Sequence, residues 1–85
     1  MSYNIIWDKK ATNFLYKIDY ILAQRIIKYI KEFAQEPRKK QFKKLKGKDG
    51  FRLRVGEYRI ILEINYTNKS IQILKIGHRK NIYER

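Results

Sequence analysis

The chain has 85 residues, a length that suits one domain, and we expect a single domain over residues 1–85. Its 44% hydrophobic and 14% aromatic content is typical of a folded globule, and the absence of cysteine excludes a disulfide scaffold, a thiol nucleophile and a cysteine-based zinc site. The net charge of +13 predicts an anionic partner, with nucleic acid the first choice, an acidic protein the second and a membrane surface the third.

Membrane insertion is not expected. No stretch of the sequence approaches the ~20 apolar residues that a membrane-spanning helix needs. Residues 1–4 carry no positive segment followed by an apolar run, so they do not resemble a signal peptide. We therefore expect a cytoplasmic protein that works without a membrane.

The first part of the chain predicts one strand and two helices. Residues 3–7 are rich in β-branched and aromatic residues, as strands are. Asp8 is expected to cap a first helix with its side chain, and apolar residues then recur at helical spacing over residues 11–18. A second apolar stripe begins after Asp19 and ends before Pro37, because the residue preceding a proline disfavours helical geometry. The short link between the stripes predicts a helical hairpin.

A basic segment follows the helices. Residues 38–48 hold seven lysines and arginines. Phe42 and Leu45 predict a short turn anchored on the core, and residues 48–50 predict another turn. A charge run is often no more than a solvated loop, but this one precedes an arginine-bearing strand and extends its positive field. The lysines that we assign to RNA binding are Lys39, Lys40, Lys43, Lys44, Lys46 and Lys48.

The remaining sequence predicts three strands. Apolar residues alternate with arginines over residues 51–55, Gly56 and Glu57 form a two-residue hairpin turn, and alternation continues over residues 58–66. A turn at residues 67–69 leads to a last strand at residues 70–76. The predicted order is β-α-α-β-β-β, an α+β fold in which an antiparallel sheet packs against the N-terminal helical hairpin.

Three arginines mark the candidate site. Arg52 and Arg54 share a strand face, and Arg59 is expected to pair with or near Arg54 across the hairpin. Like charges at opposed positions are unfavourable, so this grouping indicates a site for an anion, although arginine is also common on an ordinary solvent-facing sheet. His78 is the single histidine and could transfer a proton, or fix the tail by hydrogen bonding. The acids are scattered and no metal site is expected.

The chain resembles a known toxin family. The residues that carry the resemblance are LKG at 45–47, FRLRVGEYRII at 51–61 and IGHRKNIY at 76–83. They look like the RelE branch of the RelE/ParE toxin superfamily, and the predicted element order is similar as well. The resemblance therefore covers essentially the whole chain.

The resemblance implies a fold of the microbial ribonuclease type and the toxin role in a type II toxin–antitoxin system. It implies cleavage of mRNA on the ribosome by attack of a ribose 2′-OH on the neighbouring phosphate, which inhibits translation and needs no metal or other cofactor. The implied partners are a RelB-like antitoxin, the ribosome and mRNA. The implied catalytic residues are Arg52, Arg54, Arg59, Arg79 and Tyr83.

One departure from the family pattern matters for the mechanism. Well-studied members carry lysine where this sequence has Arg52 and Arg54. Arginine stays protonated, so these two residues are better suited to clamping phosphate than to donating a proton, which leaves Tyr83 or His78 for proton transfer. Two other functions stay open: a ParE-like toxin that inhibits DNA gyrase without cutting RNA, and an inactive module that binds RNA or the ribosome.

Overall fold

Two helices and five strands follow one another in the described part of the chain. The structure is a computed structural model, and it describes residues 2–37, 42–45 and 50–80. Its elements are β1 (Asn4–Trp7), α1 (Lys9–Lys17), α2 (Tyr20–Gln35), β2 (Phe42–Lys44), β3 (Phe51–Val55), β4 (Tyr58–Asn65) and β5 (Ser70–His78). The strands form one sheet in the order β1-β5-β4-β3-β2. The predicted α+β class and the helical hairpin are confirmed.

The helix α2 begins and ends where the local sequence predicts. Only Ile18 and Asp19 separate α1 from α2. The Asp19 carboxylate accepts a hydrogen bond of 3.2 Å from the N–H of Leu22, which satisfies one of the free donors in the first turn of α2. At the other end, Glu36 has a φ of −155° and leaves helical geometry because Pro37 follows it.

The expectation that the Asp8 side chain caps α1 is wrong. Asp8 occupies the N-cap position, but its side chain makes no capping hydrogen bond. Its Oδ1 instead accepts a hydrogen bond of 2.7 Å from Nε2 of Gln72 on β5. The main-chain N–H of Asp8 also donates to the carbonyl of Ile73 at 2.9 Å. Both contacts direct Asp8 toward the sheet rather than toward the helix.

The sheet is antiparallel except at one edge. The predicted meander of β3, β4 and β5 is confirmed, and each of its neighbouring strands pairs antiparallel. β1 pairs parallel with β5, with Ile5 opposite Ile71. This parallel pairing corrects the expectation of an antiparallel sheet. It could not be predicted because the alternation within one strand does not reveal the direction of its neighbour.

The strand β2 corrects the predicted element order. Phe42 was expected in a turn, but it lies in a strand that pairs antiparallel with β3, opposite Leu53. Its ring packs edge-on against those of Phe33 and Phe51, with ring centroids 5.3 and 5.1 Å apart. A three-residue strand with two lysines has too little alternation to be recognised from sequence. The described order is therefore β-α-α-β-β-β-β.

The ends of β4 and β5 also differ from the prediction. β4 ends at Asn65, so Tyr66 lies in the turn that follows rather than in the strand. The Asn65 side-chain oxygen accepts from the N–H groups of Thr67 and Asn68 at 3.0 and 3.1 Å and closes this predicted turn. β5 continues past Ile76 to His78, which brings the strand end level with the hairpin of β3 and β4.

The core lies between the helices and one face of the sheet. α1 contributes Ala11, and α2 contributes most of the helical part. The largest fully buried side chains are Phe33, Ile26, Ile30, Leu53, Ile60, Leu62, Ile71 and Ile73. Burial of side chains of this size stabilises the fold by about 1.5–3 kcal/mol each. Because the core forms on one face of the sheet, stability does not require apolar residues on the opposite face, which can carry charge.

The cap of α2 gives a stability prediction. Asp19→Ala removes the acceptor for Leu22 N–H and should lower the free energy of unfolding by about 1 kcal/mol, or roughly 4–8 °C in the thermal midpoint for a domain of this size. Asp19→Asn keeps a capping oxygen and is the matched control. Circular dichroism melting checks both variants; an unchanged midpoint for Asp19→Ala would show that the cap contributes nothing.

Candidate functional site

The β3–β4 hairpin brings two arginines together. Its connection is the predicted two-residue turn, with Val55 paired to Tyr58 and Gly56 at a φ of +57°. A positive φ at the first turn residue is typical of type II′ turns, and glycine adopts it without strain. This register places Arg54 directly opposite Arg59, which confirms the predicted cross-strand pair.

The two faces of the sheet differ completely near this hairpin. Leu53 pairs with Ile60, which pairs with Ile76, and all three are buried against the helices. Side chains alternate along each strand, so the arginines at 54 and 59 point to the opposite face. Gly77, the β5 neighbour of Arg59, has no side chain to place there.

A second row of residues continues this charged surface across four strands. Lys43 on β2 lies opposite Arg52 on β3, Arg52 lies opposite Ile61 on β4, and Ile61 lies opposite Lys75 on β5. Ile61 is only 4% exposed, and the aliphatic stems of lysine and arginine can cover such an apolar position while their charged ends reach solvent. We call this surface the cationic face; its members are Lys43, Arg52, Arg54, Arg59 and Lys75.

Lys75 was missed because a β-bulge reverses the alternation of β5. Ile61 pairs with Lys75 but Leu62 pairs with Ile73, so Leu74 has no partner on β4. Strict alternation from Ile73 would turn Lys75 toward the core. The extra residue turns it toward the arginines and returns the next residue to the core. The alternation Ile-x-Ile-x-x-Ile at residues 71–76 is the sequence signal that could have found it.

The cationic face holds its arginines at different depths. Arg54 is exposed, whereas Arg52 and Arg59 are half-buried and the Nε atom of Arg59 is itself buried. Partial burial restricts the motion of a long side chain and weakens solvent screening of its charge. The face therefore presents partly preorganised guanidinium groups, which can donate two parallel hydrogen bonds to a pair of oxygens on a carboxylate or a phosphate.

Arg79 joins the site through the hairpin turn. Its N–H donates to the carbonyl of Glu57 at 2.9 Å, and its Nη2 lies 3.6 Å from Oε1 of the same residue. Arg79 is thereby brought to the end of the sheet where Arg54 and Arg59 face each other. Four of the sequence-predicted site residues, at positions 52, 54, 59 and 79, belong to one region of the molecule.

His78 lies on the other face of β5 from these arginines. It pairs with Tyr58, and the two rings meet edge-on with their centroids 5.5 Å apart. The ring of Tyr58 in turn packs against that of Phe14 on α1, with a centroid distance of 6.0 Å. Its Nδ1 accepts from the N–H of Lys80 at 3.2 Å, and its Nε2 lies 3.5 Å from Oε2 of Glu57. Nδ1 of His78 is therefore directed at the main chain, and Nε2 is the ring nitrogen on the side of Glu57.

The lysines predicted to bind RNA are only partly located. Lys43 lies on the cationic face, while Lys44 pairs with Phe51 on β3 and so belongs to the opposite face, at the sheet edge. The other predicted RNA-binding lysines lie outside the described residues: Lys39, Lys40, Lys46 and Lys48. The predicted catalytic residue Tyr83 also lies outside them.

Two further findings concern residues 2–37, 42–45 and 50–80. No group of three or more histidine, aspartate or glutamate side chains in these ranges is placed to hold a metal ion. Neither of the described helices is long and apolar enough to cross a membrane.

Sequence comparison identifies the family. The model of the family described as "ParE toxin of type II toxin-antitoxin system, parDE" matches residues 5–83. The chain belongs to this toxin family. The match runs from β1 through both arginine-bearing motifs, and it confirms the resemblance to the RelE/ParE superfamily. A comparison with curated proteins finds no match for the toxin.

Solved structures share the fold of this toxin over nearly its whole length. A chain of the RelBE2 toxin–antitoxin complex from Mycobacterium tuberculosis aligns with a TM-score of 0.83 at 21% identity, covering 95% of each chain. A chain of the RelE–RelB complex from Pyrococcus horikoshii OT3 has a TM-score of 0.79 and 28% identity, covering 96% of this chain and 100% of its own. A chain of the RelB–RelE complex from Methanococcus jannaschii has a TM-score of 0.72 and 30% identity, covering 92% and 94%.

The position of Lys75 gives a binding prediction. Lys75→Ala should weaken binding of a fluorescent single-stranded RNA oligonucleotide and reduce the slope of log K against log salt by about 0.7, the value of one phosphate contact on single-stranded nucleic acid. Lys28→Ala is the control: it removes an exposed lysine of α2, on the side of the sheet opposite the cationic face, and should leave the slope unchanged. Equal effects of the two substitutions in fluorescence anisotropy titrations would mean that only net charge matters.

Proposed function

We propose that this toxin is a ribosome-dependent endoribonuclease that cuts mRNA and thereby inhibits translation. The observation that carries the proposal is the pairing of Arg54 with Arg59 on the face of the sheet opposite the core. Arg52 and Arg79 lie in the same region. Like charges directly opposite each other on neighbouring strands are destabilising. An anion that bridges them removes this penalty, and the RNA phosphate is the anion that guanidinium groups fit.

The proposed reaction needs charge stabilisation more than any other chemistry. A ribose 2′-oxygen attacks the adjacent phosphorus and loses its proton, while the bond from phosphorus to the 5′-oxygen breaks and that oxygen gains a proton. The products are a 2′,3′-cyclic phosphate and a 5′-hydroxyl, and no water or cofactor is consumed. Negative charge grows on the phosphorane oxygens in between, and the guanidinium groups of the cationic face stabilise it.

The ribosome is proposed to complete the site. A guanidinium stays protonated, so Arg52 and Arg54 bind oxygens without exchanging protons. The described part of the site thus offers many phosphate ligands and few groups for proton transfer. Positioning of the mRNA by the ribosome would supply the alignment of the 2′-oxygen that free RNA lacks, and such alignment can account for a large part of a barrier.

Cleavage assays distinguish the proposed function from its alternative. The toxin should cut mRNA in translating ribosomes, seen as new primer-extension stops, and should leave the same RNA intact when ribosomes are omitted at physiological salt. The second candidate function, gyrase inhibition, is supported by the match to the ParE family model. Loss of gyrase supercoiling activity without any mRNA cleavage would overturn our proposal and favour that candidate.

Arg54 provides a direct test of the phosphate site. It is exposed, so Arg54→Ala should leave the thermal midpoint unchanged or slightly raised, because it removes a repulsive pair. The single-turnover cleavage rate should fall by about 10²–10³, the usual loss for one preorganised donor to a developing anion. Arg25→Ala on α2 is the matched control and should cut normally. A normal rate in Arg54→Ala would move this residue from the site to the scaffold.

We assign the proton transfer to Tyr83 rather than to His78. This follows the resemblance to the family, and it is supported by the packing of His78 against Tyr58 on the face of β5 opposite the arginines. Tyr83→Phe should lower the single-turnover rate by roughly 10²–10⁴, the usual contribution of a general acid or base, with ribosome binding retained. His78→Ala should lose less; the reverse order of the two rates would exchange their roles.

We also propose that a RelB-like antitoxin silences the toxin. The support is that some of the structural neighbours come from RelB–RelE complexes, together with the net charge of +13. An acidic segment laid over the cationic face would neutralise the repelling arginines and exclude RNA from them. An apolar groove of about 510 Å³ between α1 and α2, lined in part by Leu15, Tyr16 and Ile27, offers a second contact that salt would not weaken.

A further inference from the structure

The turn residue Glu57 makes more contacts with the end of β5 than a hairpin turn requires. Its carbonyl accepts from the N–H of Arg79 at 2.9 Å, one residue beyond the last paired position, where Tyr58 lies opposite His78. Its carboxylate divides between two residues, with Oε1 3.6 Å from Nη2 of Arg79 and Oε2 3.5 Å from Nε2 of His78. One acidic side chain therefore faces both residues that follow Gly77.

His78 is packed into position beside the Glu57 carboxylate. Its ring packs edge-on against Tyr58 at 5.5 Å, and Tyr58 packs against Phe14 of α1 at 6.0 Å. Nδ1 accepts a hydrogen bond from the N–H of Lys80, and Nε2 lies 3.5 Å from Oε2 of Glu57. A continuous series of contacts thus connects the helical hairpin to the Glu57 carboxylate, and from there to the guanidinium of Arg79.

We propose that Glu57 is a positioning residue that orients Arg79 toward the scissile phosphate. This inference rests on the proposed function. The side chain of Arg79 is 50% exposed, so a free guanidinium there would sample many rotamers. The hydrogen bond from the N–H of Arg79 to the carbonyl of Glu57 fixes the main chain of Arg79. The Glu57 carboxylate limits the positions that the Arg79 guanidinium can occupy. A preorganised donor stabilises developing charge without the cost of reorganisation during the reaction.

The geometry limits the size of the effect. Contacts of 3.5–3.6 Å to a carboxylate that is 63% exposed are typical of weak surface ion pairs, which change equilibria only a few-fold. Misplacing a catalytic group by about 1 Å can cost around 100-fold in rate. We expect a loss between these limits, roughly tenfold in kcat.

A positioning role and a merely structural one give different kinetic results. Glu57 carries a negative charge beside the path proposed for RNA, so its removal should leave KM unchanged or lower it while kcat falls. Loss of fold would instead lower the thermal midpoint and the fraction of active protein. Repulsion alone, with no positioning, would lower KM and leave kcat intact.

The experiment measures cleavage by the full chain on programmed ribosomes. Glu57→Gln should lower kcat about tenfold with an unchanged thermal midpoint, and Glu57→Asp should restore part of the loss. Glu63→Gln is the matched control: Glu63 is an exposed acid on the same hairpin and should keep full kcat. In an Arg79→Ala background, Glu57→Gln should cause no further loss, because the residue it acts through is gone. Full kcat in Glu57→Gln, or the same tenfold loss without Arg79, overturns the inference.

A second readout works without ribosomes. The Arg79 Nε–Hε group gives its own NMR signal, and ¹⁵N relaxation should show it more mobile in Glu57→Gln than in the parent chain and in Glu63→Gln. If the parent chain fails to cut ribosomal mRNA, the proposed function fails, and this measurement still decides whether Glu57 orders Arg79. Unchanged mobility of Arg79 in Glu57→Gln overturns the positioning role whatever the cleavage assay gives.

Discussion

Arg54 and Arg59 lie opposite each other on neighbouring strands, and the fold has to hold this repelling pair in register. On the reverse face of the same hairpin, Leu53 pairs with Ile60, and both are fully buried. Burial of two such side chains contributes about 1.5–3 kcal/mol each, and this opposes the destabilising effect of the like charges on the other face. The core therefore fixes the register that presents both guanidinium groups on one face of the sheet.

The same register accounts for the rest of the site. The two-residue turn that aligns the arginines also places Glu57 beside the end of β5, where it meets Arg79. The β-bulge at Leu74 brings Lys75 to the charged side while Ile76 returns to the core. Charge and core thus occupy opposite faces of one sheet, and the helices cover only the apolar face. An RNA strand can approach the cationic face without displacing any described helix.

Features with a strong local signal were predictable from the sequence, and features that depend on pairing were not. The alternation of residues 51–55 and the Gly56–Glu57 turn predict the paired arginines, and Pro37 predicts the end of α2. Strict alternation along β5 misplaces Lys75, because a bulge opposite β4 turns this residue toward the arginines. Only the interrupted spacing of the isoleucines at residues 71–76 signals the bulge in the sequence. Asp8 is a residue type that commonly caps helices, but its carboxylate instead accepts a hydrogen bond from Gln72, which is distant in the sequence. The shortness of β2 likewise hid its pairing with β3.

The chemistry at the cut ends of the RNA tests the central claim most directly. If guanidinium groups on the cationic face stabilise attack by a 2′-oxygen, mass spectrometry of mRNA fragments from toxin-treated ribosomes should find a 2′,3′-cyclic phosphate on the upstream fragment and a 5′-hydroxyl on the downstream one. Fragments that carry a 3′-hydroxyl and a 5′-phosphate would mean that water attacks phosphorus instead. That result would contradict the account of how this sheet works.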